Sequence, residues 1–107
     1  MERRAFEGQV VVVTGASAGV GRAIARAFGG EGARVGLLAR NVDALENAAS
    51  EIRAAGGEAL VVPTDVSSAP AVEAAADAVA ARWGRIDVWV NDAMVSVFSA
   101  RDGSTRI

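Results

Sequence analysis

The 107-residue chain contains no cysteine, no histidine, no tyrosine and no lysine. Each absence excludes something. Without cysteine there is no disulfide framework, and without cysteine and histidine the ordinary thiolate and imidazole metal sites have no ligands. Without histidine, tyrosine and lysine, most of the side chains that move protons in catalysis are missing. All 11 basic residues are therefore arginine, and against 13 acidic residues they leave a net charge of -2. That balance does not suit a nucleic-acid surface. No apolar run approaches the ~20 residues of a membrane span. Arg3 and Arg4 in "MERRAF" superficially resemble a twin-arginine export signal, but Glu7, Gly8 and Gln9 interrupt before a short valine run. Such a signal needs ~7–15 apolar residues at that point. A cytoplasmic protein that binds neither membrane nor nucleic acid is expected.

What is present is a hydrophobic content of 51%, which argues for a packed core, and a length that allows one domain. Gln9 to Val13 is a continuous β-branched run ended by Thr14-Gly15, which reads as a strand buried on both faces. Val20, Ile24, Ala27 and Phe28 then fall at helical spacing, with Gly29, Gly30 and Gly32 as a stop. Arg34 to Ala39 gives a second strand, and Asn41 can cap a helix whose inner stripe is Leu45, Ala48, Ala49 and Ile52. Ala59 to Pro63 reads as a third buried strand. Ser67 or Ser68 can cap a helix with Pro70 in its first turn and a stripe of Val72, Ala76, Val79 and Trp83. Ile86 to Val90 supplies a fourth strand. This βαβαβαβ alternation predicts right-handed crossovers and a parallel sheet. The expected fold is a partial Rossmann-like, doubly wound α/β domain, three layers deep, with strand order 3-2-1-4 over residues 1–98. Residues 99–107, "SARDGSTRI", are polar and lack either period, so a disordered tail is expected there and the fourth strand is left near an open edge.

The stretch "TGASAGVG", Thr14 to Gly21, joins the first strand to the first helix. A sharp strand-to-helix turn presents unpaired backbone N–H groups and the positive end of a helix dipole at one point, which suits phosphate. Side chains would block the approach. Gly15 permits the turn, Gly19 lets backbone come close to a pyrophosphate, and Gly21 lets the helix pack tightly on the strand. The spacing is G-x-x-x-G-x-G rather than the familiar G-x-G-x-x-G.

In these residues the sequence resembles the short-chain dehydrogenases/reductases. "TGASAGVGRAIA" is similar to their T-G-x-x-x-G-x-G segment, Asp65-Val66 to their acidic motif after the third strand, and "VNDAM", Val90 to Met94, to their N-N-A-G. The resemblance runs from about residue 8 to residue 98. It implies that Gly15, Ser17, Gly19 and Val20 line a pyrophosphate and adenosine ribose, with Val20 contributing its backbone. It implies that Asp65, with Val66 beside it, accepts a hydrogen bond from the adenine amino group; capping the following helix is the alternative role for Asp65. Asn91 and Ala93 would lie beside the adenosine, although Asn91 also suits a purely structural strand end. Two positions depart from the family. Asp92 replaces the second Asn, and Met94 stands where Gly is usual, so that its side chain either packs on the cofactor or fills core.

Dinucleotide-binding domains selective for NAD place a carboxylate at the end of the second strand, where it bonds the ribose 2′-hydroxyl. Here Ala39 is followed by Arg40. A guanidinium can grip a 2′-phosphate with two charge-assisted hydrogen bonds, and the resemblance points the same way, so NADP(H) is expected over NAD(H). A solvated arginine at the strand exit is the plain alternative. Asp43 would sit in the first helical turn, and Ser17 could add a hydroxyl to the same phosphate.

The family's catalytic Tyr, Lys and Ser lie beyond the matched segment, and neither Tyr nor Lys exists in this chain. Ser96 and Ser99 lack a base partner, so no catalytic residue and no metal site is assigned. Three readings stand. The first is the NADP(H)-binding N-terminal part of a short-chain oxidoreductase, shortened by gene disruption, frameshift or choice and inactive alone. The second is a non-catalytic nucleotide-binding or regulatory module. The third is an interaction protein that pairs through the "IDVWV" edge, Ile86 to Val90, with itself or another subunit.

Overall fold

A computed structural model describes residues 5–91 and the backbone of Thr105 and Arg106. The elements follow in the order β1 (Val10–Thr14), α1 (Gly19–Gly30), β2 (Arg34–Ala39), α2 (Val42–Ala54), β3 (Glu58–Pro63), α3 (Ala69–Trp83), β4 (Val88–Asn91) and β5 (Thr105–Arg106). All pairings are parallel, and the sheet order is β3-β2-β1-β4-β5. Strand order 3-2-1-4 is therefore as the alternation predicts. The short β5 is an addition to it. The tail 99–107 carries no periodic signal, yet Thr105 and Arg106 pair with Val88 and Trp89. The unpaired N–H and C=O row along the outer edge of β4 is a template for any extended segment, which is why a strand forms without a hydrophobic pattern of its own.

Burial divides the strands by their two-residue period. Val11, Val13, Val35, Leu37 and Val90 point to the face covered by α1 and α2, where they meet Leu45, Ala48, Ala49 and Ile52. Val10, Val12 and Leu38 point to the opposite face, against Ala75 and Val79 of α3. Layers of helix, sheet and helix result. Full burial of a side chain such as Leu45 or Ile52 stabilises the fold by about 1.5–3 kcal/mol. The layer of α3 sits very close: a Cβ on Gly36 of β2 would lie 2.8 Å from Val79 Cγ2.

Local signals place the helix ends. Asn41 Oδ1 accepts from Ala44 N at 3.1 Å, and Ser68 Oγ accepts from Ala71 N at 3.2 Å. These bonds satisfy N–H groups that the first turn leaves without intrahelical partners. Gly84 ends α3 in the left-handed conformation, φ 87°. Elsewhere the packing departs from the periodic pattern. Val20, on the inner stripe by spacing, is 65% exposed, because the buried face of α1 is formed by Gly21, Ala25 and Gly29. β3 is half-buried rather than buried, since it is an edge strand that pairs only with β2. Val72 and Trp83 are likewise only part-buried on α3, and Ile86 precedes β4 instead of belonging to it.

Candidate functional site

In a parallel sheet every strand delivers its carboxyl end to the same rim. Register sets Thr14 opposite both Leu38 and Asn91, and Ala39 opposite Pro63. The loops that leave β1, β2 and β3 consequently place the Gly15–Gly19 turn, Arg40 and Asp65 on one rim with Asn91 of β4. Among the described residues these are the groups singled out from sequence.

The turn after β1 is held from below. Gly15 N donates to Leu38 O at 2.8 Å and Ala16 N to the same oxygen at 3.5 Å. Gly15 has φ 72° and Gly19 φ 59°, a region costly for residues with a Cβ. A Cβ built on Gly19 meets nothing within 4 Å, so its side faces open space. The N-cap of α1 is Ala18, which offers no side-chain acceptor, and no acidic residue lies in the first turn. The leading N–H groups and the dipole of α1 are therefore uncompensated, unlike those of α2 and α3, which Asn41 and Ser68 cap. Gly21 is buried on the sheet side of α1, and Ser17 lies part-buried within the turn.

Arg40 leaves the end of β2 exposed. Every other described arginine has a partner. Arg22 and Arg26 reach Glu51, Arg34 reaches Glu58, Arg53 reaches Ala59 O, Arg82 lies over the Trp83 ring, and Arg85 reaches Asp87. Among the described arginines Arg40 alone has no side-chain hydrogen bond, ion pair or ring contact. Its charge acts on the Asp65 carboxyl. Asp65 Oδ1 accepts from Ser67 Oγ at 2.6 Å and from Ser67 N at 3.0 Å. These two bonds, the hydroxyl's first, hold the Asp65 carboxyl below its usual range; slight desolvation opposes them and the Arg40 charge assists. Asp65 does not cap α3; Ser68 does. Val66 packs part-buried against the α3-side core.

At the end of β4, Asn91 Oδ1 accepts from Thr14 Oγ1 at 2.9 Å. Thr14 is 2% exposed, and its hydroxyl also lies 3.5 Å from Val90 O. Sequence pattern alone reads Thr14 as the end of a strand. Its role in fixing Asn91 is signalled only by its being the polar residue that closes a run of buried valines. Ala93, Asp92, Met94, Ser96 and Ser99 lie outside the described residues. Among the described residues no group of three His, Cys, Asp or Glu side chains could hold a metal, and no helix is long and apolar enough to cross a membrane. An apolar groove of about 400 Å³, lined by Phe6, Ile24, Ala27, Phe28, Glu31 and Val90, flanks α1.

The donor set on the rim is a left-handed glycine turn, an uncapped helix start and an unpartnered guanidinium. Backbone N–H groups, a helix start and a guanidinium are each donors of the kind that anionic groups engage. Residues 9–105 match the family model of the short chain dehydrogenases. D-threitol dehydrogenase of Mycolicibacterium smegmatis is 43% identical over 91 residues, covering 85% of this chain and 35% of that protein. A metagenomic short-chain oxidoreductase crystallised with NADP is 52% identical with a TM-score of 0.79, over 89% of this chain and 43% of that one. An NAD+-bound xylitol dehydrogenase is 36% identical with a TM-score of 0.78, over 89% of this chain and 35% of that one. The chain spans about a third of the length of the curated relatives it matches.

Proposed function

The chain belongs to the short-chain dehydrogenase family, and on that premise we propose that it is the NADP(H)-binding part of an oxidoreductase that transfers hydride between NADP(H) and a carbonyl or alcohol. The observation that carries this reading is the rim itself: the uncapped start of α1 stands there with Arg40, which alone among the described arginines has no bonded partner, while the starts of α2 and α3 are capped. Backbone N–H groups at Gly19, Val20 and Gly21 would hold the pyrophosphate, with Gly15 and Ser17 shaping the turn. Arg40 would hold the 2′-phosphate. Asp65 beside Val66 would accept from the adenine amino group, and Asn91 with Ala93 would close the adenosine side. When bound, the nicotinamide supplies or accepts the hydride. The relatives with bound cofactor divide between NADP and NAD+, so the preference for NADP(H) rests on Arg40 of this chain.

Proton delivery is a separate matter. The chain has neither tyrosine nor lysine, and general acid/base assistance is commonly worth ~10²–10⁴-fold in rate. The 107 residues alone should therefore bind the dinucleotide without turning it over. Fluorescence titration of the purified chain should show NADPH binding at least about tenfold tighter than NADH, the size of one charge-assisted bond. NADPH absorbance should stay constant over a panel of ketones. Equal affinity for the two dinucleotides, or substantial turnover, would overturn the proposal.

A further inference from the structure

We propose that Ser67 is a positioning residue for adenine recognition: it ties down one oxygen of Asp65 so that the other is presented to the base. Resting on the dinucleotide reading above, this concerns how the base end of the same rim is selected. Asp65 follows β3 in the connection to α3, part-buried just after the buried Thr64 and outside any helix. A free aspartate there would sample several rotamers, and ordering it on binding would cost affinity. Ser67 removes that freedom. Its hydroxyl and its backbone N–H both point at the same atom, Oδ1, at 2.6 and 3.0 Å, while Ser68 N donates to the Asp65 carbonyl at 3.0 Å. The hydroxyl bond has the length usual for O–H to carboxylate, the stronger class of hydrogen bond. No hydrogen bond engages Oδ2 among the described residues. Ser67 is exposed and is not the N-cap of α3, a role that Ser68 fills. Its hydroxyl therefore serves Asp65 and not the helix.

An ionised carboxylate with one oxygen fixed and one open is an acceptor-only group. It suits the 6-amino donor of adenine and opposes the 6-oxo acceptor of hypoxanthine. Ser67 would then set the discrimination between these bases rather than affinity for the phosphates.

The test compares NADPH with its hypoxanthine analogue on the full chain, on Ser67→Ala and on Ser67→Thr, by fluorescence titration with thermal melts as a fold control. Wild type should prefer NADPH. Ser67→Ala should lose about three- to tenfold on NADPH, the range of a single hydrogen bond, and keep its affinity for the hypoxanthine analogue. Ser67→Thr, which restores the hydroxyl, should restore the preference. Equal losses on both dinucleotides would mark a structural role and overturn the proposal, as would no loss on either. If wild type binds both analogues alike, Asp65 does not read the base and the proposal fails while phosphate binding stands. If wild type binds neither, the dinucleotide reading itself has failed.

Discussion

The two ends of the sheet use the same residue types to opposite effect. At the amino end Asp87 Oδ2 accepts from Val10 N at 2.8 Å and from Arg85 Nε at 2.9 Å, while Asp87 N returns a bond to Val10 O at 2.8 Å. Arg34 and Glu58 pair at 3.0 Å across β2 and β3. At the carboxyl end Arg40 is alone, the start of α1 is uncapped, and Asp65 is held by its own connection with one oxygen open. Charge that is already paired holds strands together. Charge that is left unpaired, beside backbone donors left uncapped, is available to something that arrives.

Breaking the carboxyl end should cost binding, and breaking the amino end should cost stability. Gly19→Val is the largest expected effect. A Cβ at this position meets no protein atom within 4 Å, so the fold should survive apart from about 1–2 kcal/mol of left-handed strain, but the approach proposed for the pyrophosphate is filled. Dinucleotide binding should vanish with circular dichroism unchanged. Arg40→Ala comes next: NADPH should bind roughly ten- to a hundredfold more weakly, the worth of a charged hydrogen-bond pair, and NADH should change little. Parallel titrations of both cofactors decide it. Asp87→Ala should lower unfolding free energy by about 1–3 kcal/mol, because Val10 N loses its acceptor, and leave NADPH affinity intact. A urea melt beside a titration would show whether the two ends are separable. The smallest effect is expected of Arg34→Ala, an exposed pair worth about 0–1 kcal/mol. A loss of cofactor affinity in either amino-end variant comparable to that of Arg40→Ala would dissolve the division.

Legibility followed locality. The bounds of β2, the buried stripe of α2 and the caps Asn41 and Ser68 are each fixed by residues within a few positions of one another, and sequence pattern finds them. The glycine turn was legible for the same reason, since its positive φ angles fall on glycines. What escaped depends on neighbours distant in sequence. Val20 looks like core until Gly21, Ala25 and Gly29 prove to be the face that touches the sheet. The half-exposure of β3 follows from its place at an edge, and β5 from the pairing that β4 offers. Thr14 with Asn91 joins polar side chains 77 positions apart that no periodicity announces, and Ser67 with Asp65 is the local exception, a side-chain pair two positions apart that the helical and strand periods do not mark.

The Asp87–Val10 and Thr14–Asn91 bonds each join residues 77 positions apart, and this has a consequence for the order in which the molecule assembles. The glycine turn is complete once Gly21 has been made, yet β1 gains its second neighbour only with β4. At ~5–20 residues per second of synthesis, roughly 3–14 s separate the two on the ribosome. Through that interval the valines of β1 have one strand partner, and the long-range parallel pairing that follows is the slow kind. The proposed dinucleotide site is thus encoded first and finished late. A ligand that binds only the finished rim favours the last strand's arrival by mass action, about 2.7 kcal/mol at a hundredfold excess over its Kd. Cofactor supply would then govern how long a newly made chain stays open to proteases, and pulse proteolysis during refolding with and without NADPH would read that interval directly.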